Sequence, residues 1–575
     1  MSIALLSSLL SHVTNPNGSL RAKRETMPLV LQHGRHDKST SAAENLSVLL
    51  TSAPSTALVM NIAHLPRGSL SALKVHEISD SSTTSPSPSS STQPTVRTVS
   101  RSEWTPTLIS LALGDSENGD VASVLSKAVD RVRELRKQYT AGLYAIATEG
   151  ISIPPEVAKT WIQNYFLNMP TELFSSLIDR KLIEMIPDLL PMQDVKLEPS
   201  VVLIYFAILY HGCFLTDRRS YGGPHAKYAR QLYLCCLRII PFWQKRATGT
   251  LSDFIAAIFM TKRAVECFDF EMSWEMHKLA CEYAHGLQMH NLDATEKSQA
   301  IHGPVGDNDR KGMWELIQTD LFYSLVYDKT PALFSRLSDW RVNLPSLESP
   351  PDTSASAPVP TMAFLVNSRI TFILMEFFRL LSVQDNHSPP WEAVESLGLE
   401  IENVLEEWKI EDWIQSFKHD GVYTWALADL AFLGHTCIIF MLRKAAAGSD
   451  SFKTMLPGAK AFQSKLALRA SRRILYLIHH ALEVMNLPGP QVLACVFSAY
   501  RAHVAYAYFA NHIMTSFKTT DPEDVSLLER VACSVETIAE KEQDFRPLAQ
   551  GMRSVNGVVQ SYVKRDEDKG LEVVT

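Results

Sequence analysis

The chain has 575 residues, of which 46% are hydrophobic and 20% charged, with a formal net charge of -7. That length supports a large core, and a pI near 6.2 gives the chain no overall basic footprint for nucleic acid. The eight cysteines are scattered between Cys213 and Cys533 with no C-x2-C pair, which argues against a zinc ribbon, a zinc finger or a secreted disulfide framework.

The opening run, MSIALLSSLLSHV, is apolar but has no basic residue ahead of it, so a secretory signal is not expected. Residues 1–115 are rich in Ser, Thr, Pro and Ala, and Ser79–Pro94 is of low complexity. Such a segment cannot bury enough apolar surface to offset its ordering entropy, so a disordered leader is expected. Lys and Arg outnumber Asp and Glu by 8 to 5 in residues 1–100. Arg21, Lys23 and Arg24 form a small basic cluster, a candidate import signal or nucleic-acid contact, with a solvated loop as the alternative.

Helical periodicity begins near Asp120, where Val121, Val124, Leu125, Ala128, Val132, Leu135 and Tyr139 make an apolar stripe. The stripe suits either a short coiled coil or packing on the main body. Pro154, Pro155 and Glu156 open the next helix, Pro170 breaks it, and a further helix is expected from Thr171 through Leu182. Val201–Leu209 is apolar all round, a composition that also suits a parallel strand, and its helical neighbours favour a buried helix. A helix from His225 is expected to stop at Pro241, and two more follow over 251–268 and 273–289.

Asp309–Leu347 is the stretch around which the chain is organised. Met313, Trp314, Ile317, Leu321, Ser324 and Leu325 recur at spacings of three and four, a helical stripe that stops near Asp328–Pro331. Beyond the Pro/Ser-rich insertion Leu347–Pro360, helices are expected over 361–382, 391–415, 421–445, 461–486, 490–515, 523–540 and 543–565. Ala426–Leu442 is the most apolar run, but Asp429 and His435 interrupt it, so it reads as a core helix and no membrane partner is expected. Alternating strand patterns are almost absent. The expected fold is all-α, a large irregular multi-helix regulatory domain behind the leader. Its parts are the leader at 1–115, a first helical part at 116–350, and a C-terminal part of the same body at 351–575.

Signatures of catalysis are missing: no G-x-S-x-G elbow, H-E-x-x-H, Walker loop, G-x-G-x-x-G or aspartate-rich diphosphate motif occurs. No catalytic residue, cofactor or metal is therefore expected, and the chain is not read as an enzyme. His277, Cys281 and His285 share one helix face at four-residue spacing, yet eight residues of helix span about 12 Å. One ion can reach two adjacent members but not all three, so core packing is the expected role. Trp314, Phe322, Tyr323, Tyr327, Phe334 and Trp340 either pack the core or line a cavity for a small apolar effector.

The organising stretch resembles the middle homology region of fungal zinc-cluster transcription factors, the fungal-specific transcription factor domain. In that family a helix reads roughly R-x-R-x-W-W, followed by a D-R pair, a G-R-P turn and an L-P. Here Arg310 or Lys311 with Met313-Trp314 stand at the first element, and Asp320-Leu321 at the second without the arginine. Asp328-Lys329-Thr330-Pro331 keeps the proline of the third, and Leu344-Pro345 closes the motif. Upstream, ACEYAHGLQMH at Ala280–His290 is similar to the family's A-x-x-L-G-L-H helix end, and Trp161–Leu177 to its entry helix.

The resemblance implies a nuclear transcription regulator of RNA polymerase II genes, with Trp314, Asp320, Pro331, Leu344 and Pro345 as structural motif residues. The family's six-cysteine zinc cluster has no counterpart here, since no cysteine precedes Cys213. Three explanations stay open: a segment carrying the cluster is missing from this sequence, DNA is reached indirectly through a DNA-binding partner or other transcription regulators, or DNA is reached weakly through the basic leader. A homodimer or heterodimer and a small-molecule effector are further implied partners. A non-catalytic helical interaction scaffold is the alternative, and an all-α enzyme the next.

Overall fold

The computed structural model describes residues 121–146, 153–168, 174, 177–192, 194–215, 228–293, 306–333, 340–345, 359–383, 389–447, 464–485, 487–515 and 521–572. The leader, with Arg21, Lys23 and Arg24, lies outside the described residues, as does Phe334. Among the described residues the fold is all-α, with no strand.

In chain order the helices are α1 (Val121–Ile146), α2 (Pro155–Asn168), α3 (Arg180–Leu189), α4 (Pro199–Gly212), α5 (Ala229–Arg246) and α6 (Leu251–Glu266). Next come α7 (Phe270–Gly286), α8 (Asp307–Tyr327), α9 (Val359–Val383), α10 (Trp391–Glu407), α11 (Ile410–Ser416) and α12 (Gly421–Ala447). The last five are α13 (Lys465–Glu483), α14 (Gly489–Ser498), α15 (Ala502–Thr515), α16 (Pro522–Lys541) and α17 (Arg546–Glu572).

Many starts follow from local chemistry. Thr250 and Asp253 cap α6 reciprocally, and Asp179, Ser464 and Asp521 each accept a first-turn N–H at the head of α3, α13 and α16. Two expectations change. Phe174 takes a left-handed backbone (φ 56°), which interrupts the helix expected from Thr171 through Leu182, and α3 starts after the Asp179 cap. Pro241 stays inside α5, on its exposed side, where water can meet the carbonyl that it leaves unpaired. The helix runs on because Trp243 is buried and its Nε1–H donates to Asp253 Oδ1 at 2.7 Å.

One core runs through the body. α4 is buried from Leu203 to Gly212 and packs on α2, α5 and α6. Gly212 permits this: a Cβ there would lie 2.1 Å from the Trp161 carbonyl oxygen on α2. α12, the helix long and apolar enough to cross a membrane, has 83% of its apolar window buried and packs on α9, α10, α11 and α13. α1 packs on α15 and α17 through Val121, Leu125, Val129 and Val132. Its stripe therefore meets the body. α8 contacts α9 and α12, and α6 contacts α14, so elements on either side of residue 350 share the core.

Candidate functional site

α8 is the axis of the site. Its sequence pattern suggests one apolar stripe, but the helix also buries Leu316, Gln318, Phe322 and Tyr323, so nearly every face is covered. It starts where Asp309 Oδ2 accepts the Gly306 N–H at 3.1 Å and ends at Asp328, which is left-handed at φ 54°. Gly312 lets the Phe174 ring approach; a Cβ there would lie 2.4 Å from the ring.

One side of α8 holds a backbone strap. Asp320 is fully buried, and its two carboxylate oxygens accept the Ala332 and Leu333 N–H groups, each at 2.8 Å. This fixes the chain just past half-buried Pro331. Trp314 Nε1–H donates to the Asn343 carbonyl at 3.2 Å, which places Leu344 and buried Pro345 next to the start of the helix. Arg310 pairs with Asp293 at 2.7 Å and Asp307 at 2.8 Å, and Asp293 also accepts the Asn343 N–H at 2.7 Å. The structure thus brings Trp314, Asp320, Pro331, Leu344 and Pro345 into one local unit. Burial pushes the Asp320 carboxyl up, but the His277 imidazole and the two N–H donors outweigh it and hold it below the usual carboxylate range.

Another side of α8 borders a cavity of about 470 Å³, walled by α6, α8, α9, α12 and the turn and helix α14. That volume suits a small organic molecule. Trp314, Phe322, Tyr323, Phe364 and Trp425 supply aromatic surface, whereas Tyr327 and Trp340 lie outside its lining. Lys262 and Glu315 reach across it at 3.4 Å, and Gln318 Nε2 ties α8 to the Asn367 carbonyl of α9 at 3.1 Å.

Asp429, the one carboxylate on α12, projects into this space and accepts the Tyr500 hydroxyl at 2.6 Å. Burial pushes its carboxyl up to about 6, and the Tyr500 hydrogen bond only partly offsets this. Glu315 and Glu266 add to the rise, and Lys262 opposes it. The arrangement can receive a flat apolar body with one or two polar groups, and Asp429 can exchange a proton near neutral pH.

Sequence reading found the aromatic wall through Trp314, Phe322 and Tyr323 but missed Lys262, Glu266, Glu315 and Asp429. Asp429 carries a signal: a lone carboxylate in an apolar run needs a reason beyond interrupting it.

His285, on the same helix face as His277 and Cys281, stacks on His290 with ring centroids 4.7 Å apart. Cys281 and His277, one and two turns earlier, lie where Asp320 of α8 joins them. No protein-family model, no curated protein and no solved structure matches this chain.

Proposed function

We propose that the chain is the regulatory body of a fungal-type transcription regulator, acting on RNA polymerase II genes through a DNA-binding partner and biased by a small-molecule effector in the cavity. One observation carries this reading: the stretch that resembles the family motif folds as a unit around α8, and α8 also walls the cavity. An effector there touches the helix that also holds the strap, and Trp314 itself both lines the cavity and donates to Asn343, so ligand contacts and strap position share one rigid element. Only an effector with different affinity for two strap arrangements would shift their balance.

The test deletes the gene and measures transcripts and chromatin occupancy, then repeats both with Ala426→Trp, which fills the cavity from α12. The expected result is nuclear protein, altered transcripts on deletion and a lost effector response in the filled variant. Unchanged transcripts with purely cytoplasmic protein would overturn the proposal.

A second reading, an all-α enzyme, is favoured by Asp429 with Glu266 and Glu315 around one cavity. Turnover of a cavity ligand, abolished by Asp429→Asn, would select it over reversible effector binding.

A further inference from the structure

We propose that His277, Cys281 and Asp320 form a binding site for one thiophilic divalent cation of the zinc class, at the seam between α7 and α8. The three residues are almost completely buried, with exposures of 1%, 2% and 0%. Their ligand atoms all lie within 4.8 Å of one another.

The contacts converge on a single atom. His277 Nε2 lies 3.3 Å from Asp320 Oδ1 and 3.4 Å from Cys281 Sγ. A catalytic Cys-His-Asp relay would use both ring nitrogens, one toward the thiol and the other toward the carboxylate. Here one N–H or one lone pair must serve two partners. The nitrogen-to-oxygen contact is also longer than the usual N–H···O distance of about 2.9–3.0 Å.

A tetrahedral cation matches the two edges at His277, and the third, from Cys281 Sγ to the Asp320 carboxylate, lies within 4.8 Å and closes to roughly 3.6 Å when the ion binds. With zinc bonds of about 2.3 Å to sulfur and about 2.0–2.2 Å to nitrogen and oxygen, the edges come to roughly 3.5 Å for S–N and roughly 3.4 Å for N–O. The i, i+4 spacing of His277 and Cys281 on α7 supplies two ligands from one helix face. Asp320 on α8 takes the third place, which His285 is too far along α7 to fill.

The surroundings suit a cation. The Ala332 and Leu333 N–H groups orient the carboxylate, as outer partners of metal ligands do. One thiolate and one carboxylate balance a 2+ charge in a buried place. Binding breaks the Cys281 Sγ–H bond, forms an Sγ–metal bond and releases one proton to solvent. His277 also lines the cavity, which gives a fourth ligand such as water a route to the ion. The site then locks α7 to α8 and steadies the strap that Asp320 holds.

The test uses the full chain without an affinity tag, stripped with a chelator and titrated with Co2+ as the probe. One equivalent should bind, with tetrahedral visible bands and a thiolate-to-cobalt charge-transfer band, and Zn2+ should displace it. Melting temperature should rise with Zn2+ and fall back on chelation. Cys281→Ser should lose the charge-transfer band. His277→Gln should weaken binding by more than the roughly 10- to 100-fold seen on losing an outer partner. Failure of the folded wild-type protein to show the band at excess Co2+ would overturn the proposal, and this holds whether or not the variants fold. Persistence of the band in folded Cys281→Ser would also overturn it, because the thiolate would then come from another cysteine.

Discussion

Two aspartates, fully buried Asp320 on α8 and half-buried Asp429 on α12, feel opposite environments. Both pay for leaving water, since burial raises each carboxyl. Asp320 has two backbone N–H donors and an imidazole beside it, and it stays charged. Asp429 has the Tyr500 hydroxyl and neighbouring carboxylates, and its carboxyl sits near 6. Burial alone does not set the charge of a group; the count and sign of its partners do. One aspartate is structural because it is saturated, and the other is free to respond because it is not.

The largest expected effect comes from removing the saturated member. Asp320→Ala leaves two buried N–H groups without their acceptor and should lower unfolding free energy by about 3–5 kcal/mol in urea titration. A loss below about 1 kcal/mol would mean that the strap is held elsewhere. Trp314→Phe keeps the ring packing but drops the Nε1–H bond to Asn343, and should cost about 1–2 kcal/mol in the same titration.

Asp429→Asn should go the other way, gaining on the order of 1 kcal/mol at pH 7.5 by removing a strained charge. The pH dependence has a definite sign. The folded protein holds the Asp429 proton up to about pH 6, above the ordinary 3.8. This group's contribution is therefore full at low pH and is lost as pH rises through about 6. Asp320 has the opposite sense, contributing above the ordinary carboxylate value and fading as pH falls through its lowered one. Melting curves from pH 4 to 7 should lose their Asp429 component in Asp429→Asn and keep it in Trp314→Phe. Glu315→Gln should change stability by less than about 1 kcal/mol, because its Lys262 pair is partly exposed.

The sequence made the helical class legible because apolar periodicity is a local signal, and the helical neighbours of α4, rather than its continuous apolar run, marked it as a helix. It read 391–415 and 490–515 as single helices, yet Lys409 and Arg501 break them with left-handed backbones at φ 48° and 47°. Neither residue is a glycine or proline that would announce a break. Arg501 is held by distant partners: it donates to the Val326 carbonyl at 3.0 Å and lies 5.4 Å from the Tyr327 ring centroid. The candidate sites divide in the same way. Trp314, Asp320 and Leu344-Pro345 stood out because they lie within one stretch of chain. Asp429 with Glu266, and Asp320 with Cys281, meet only after the chain folds, and no spacing rule encodes such a meeting.

The seat of α1 against α15 and α17 has a consequence for biosynthesis. Ala128 and Gly551 are close enough that a Cβ on the glycine would lie 3.0 Å from the alanine Cβ. At roughly 5–20 residues per second, the ribosome needs on the order of 20–80 s after completing α1 to reach α17. Through that interval Val121, Leu125, Val129 and Val132 have no native cover from α17. A nascent-chain chaperone should therefore bind this helix early and leave it only when the last helix emerges.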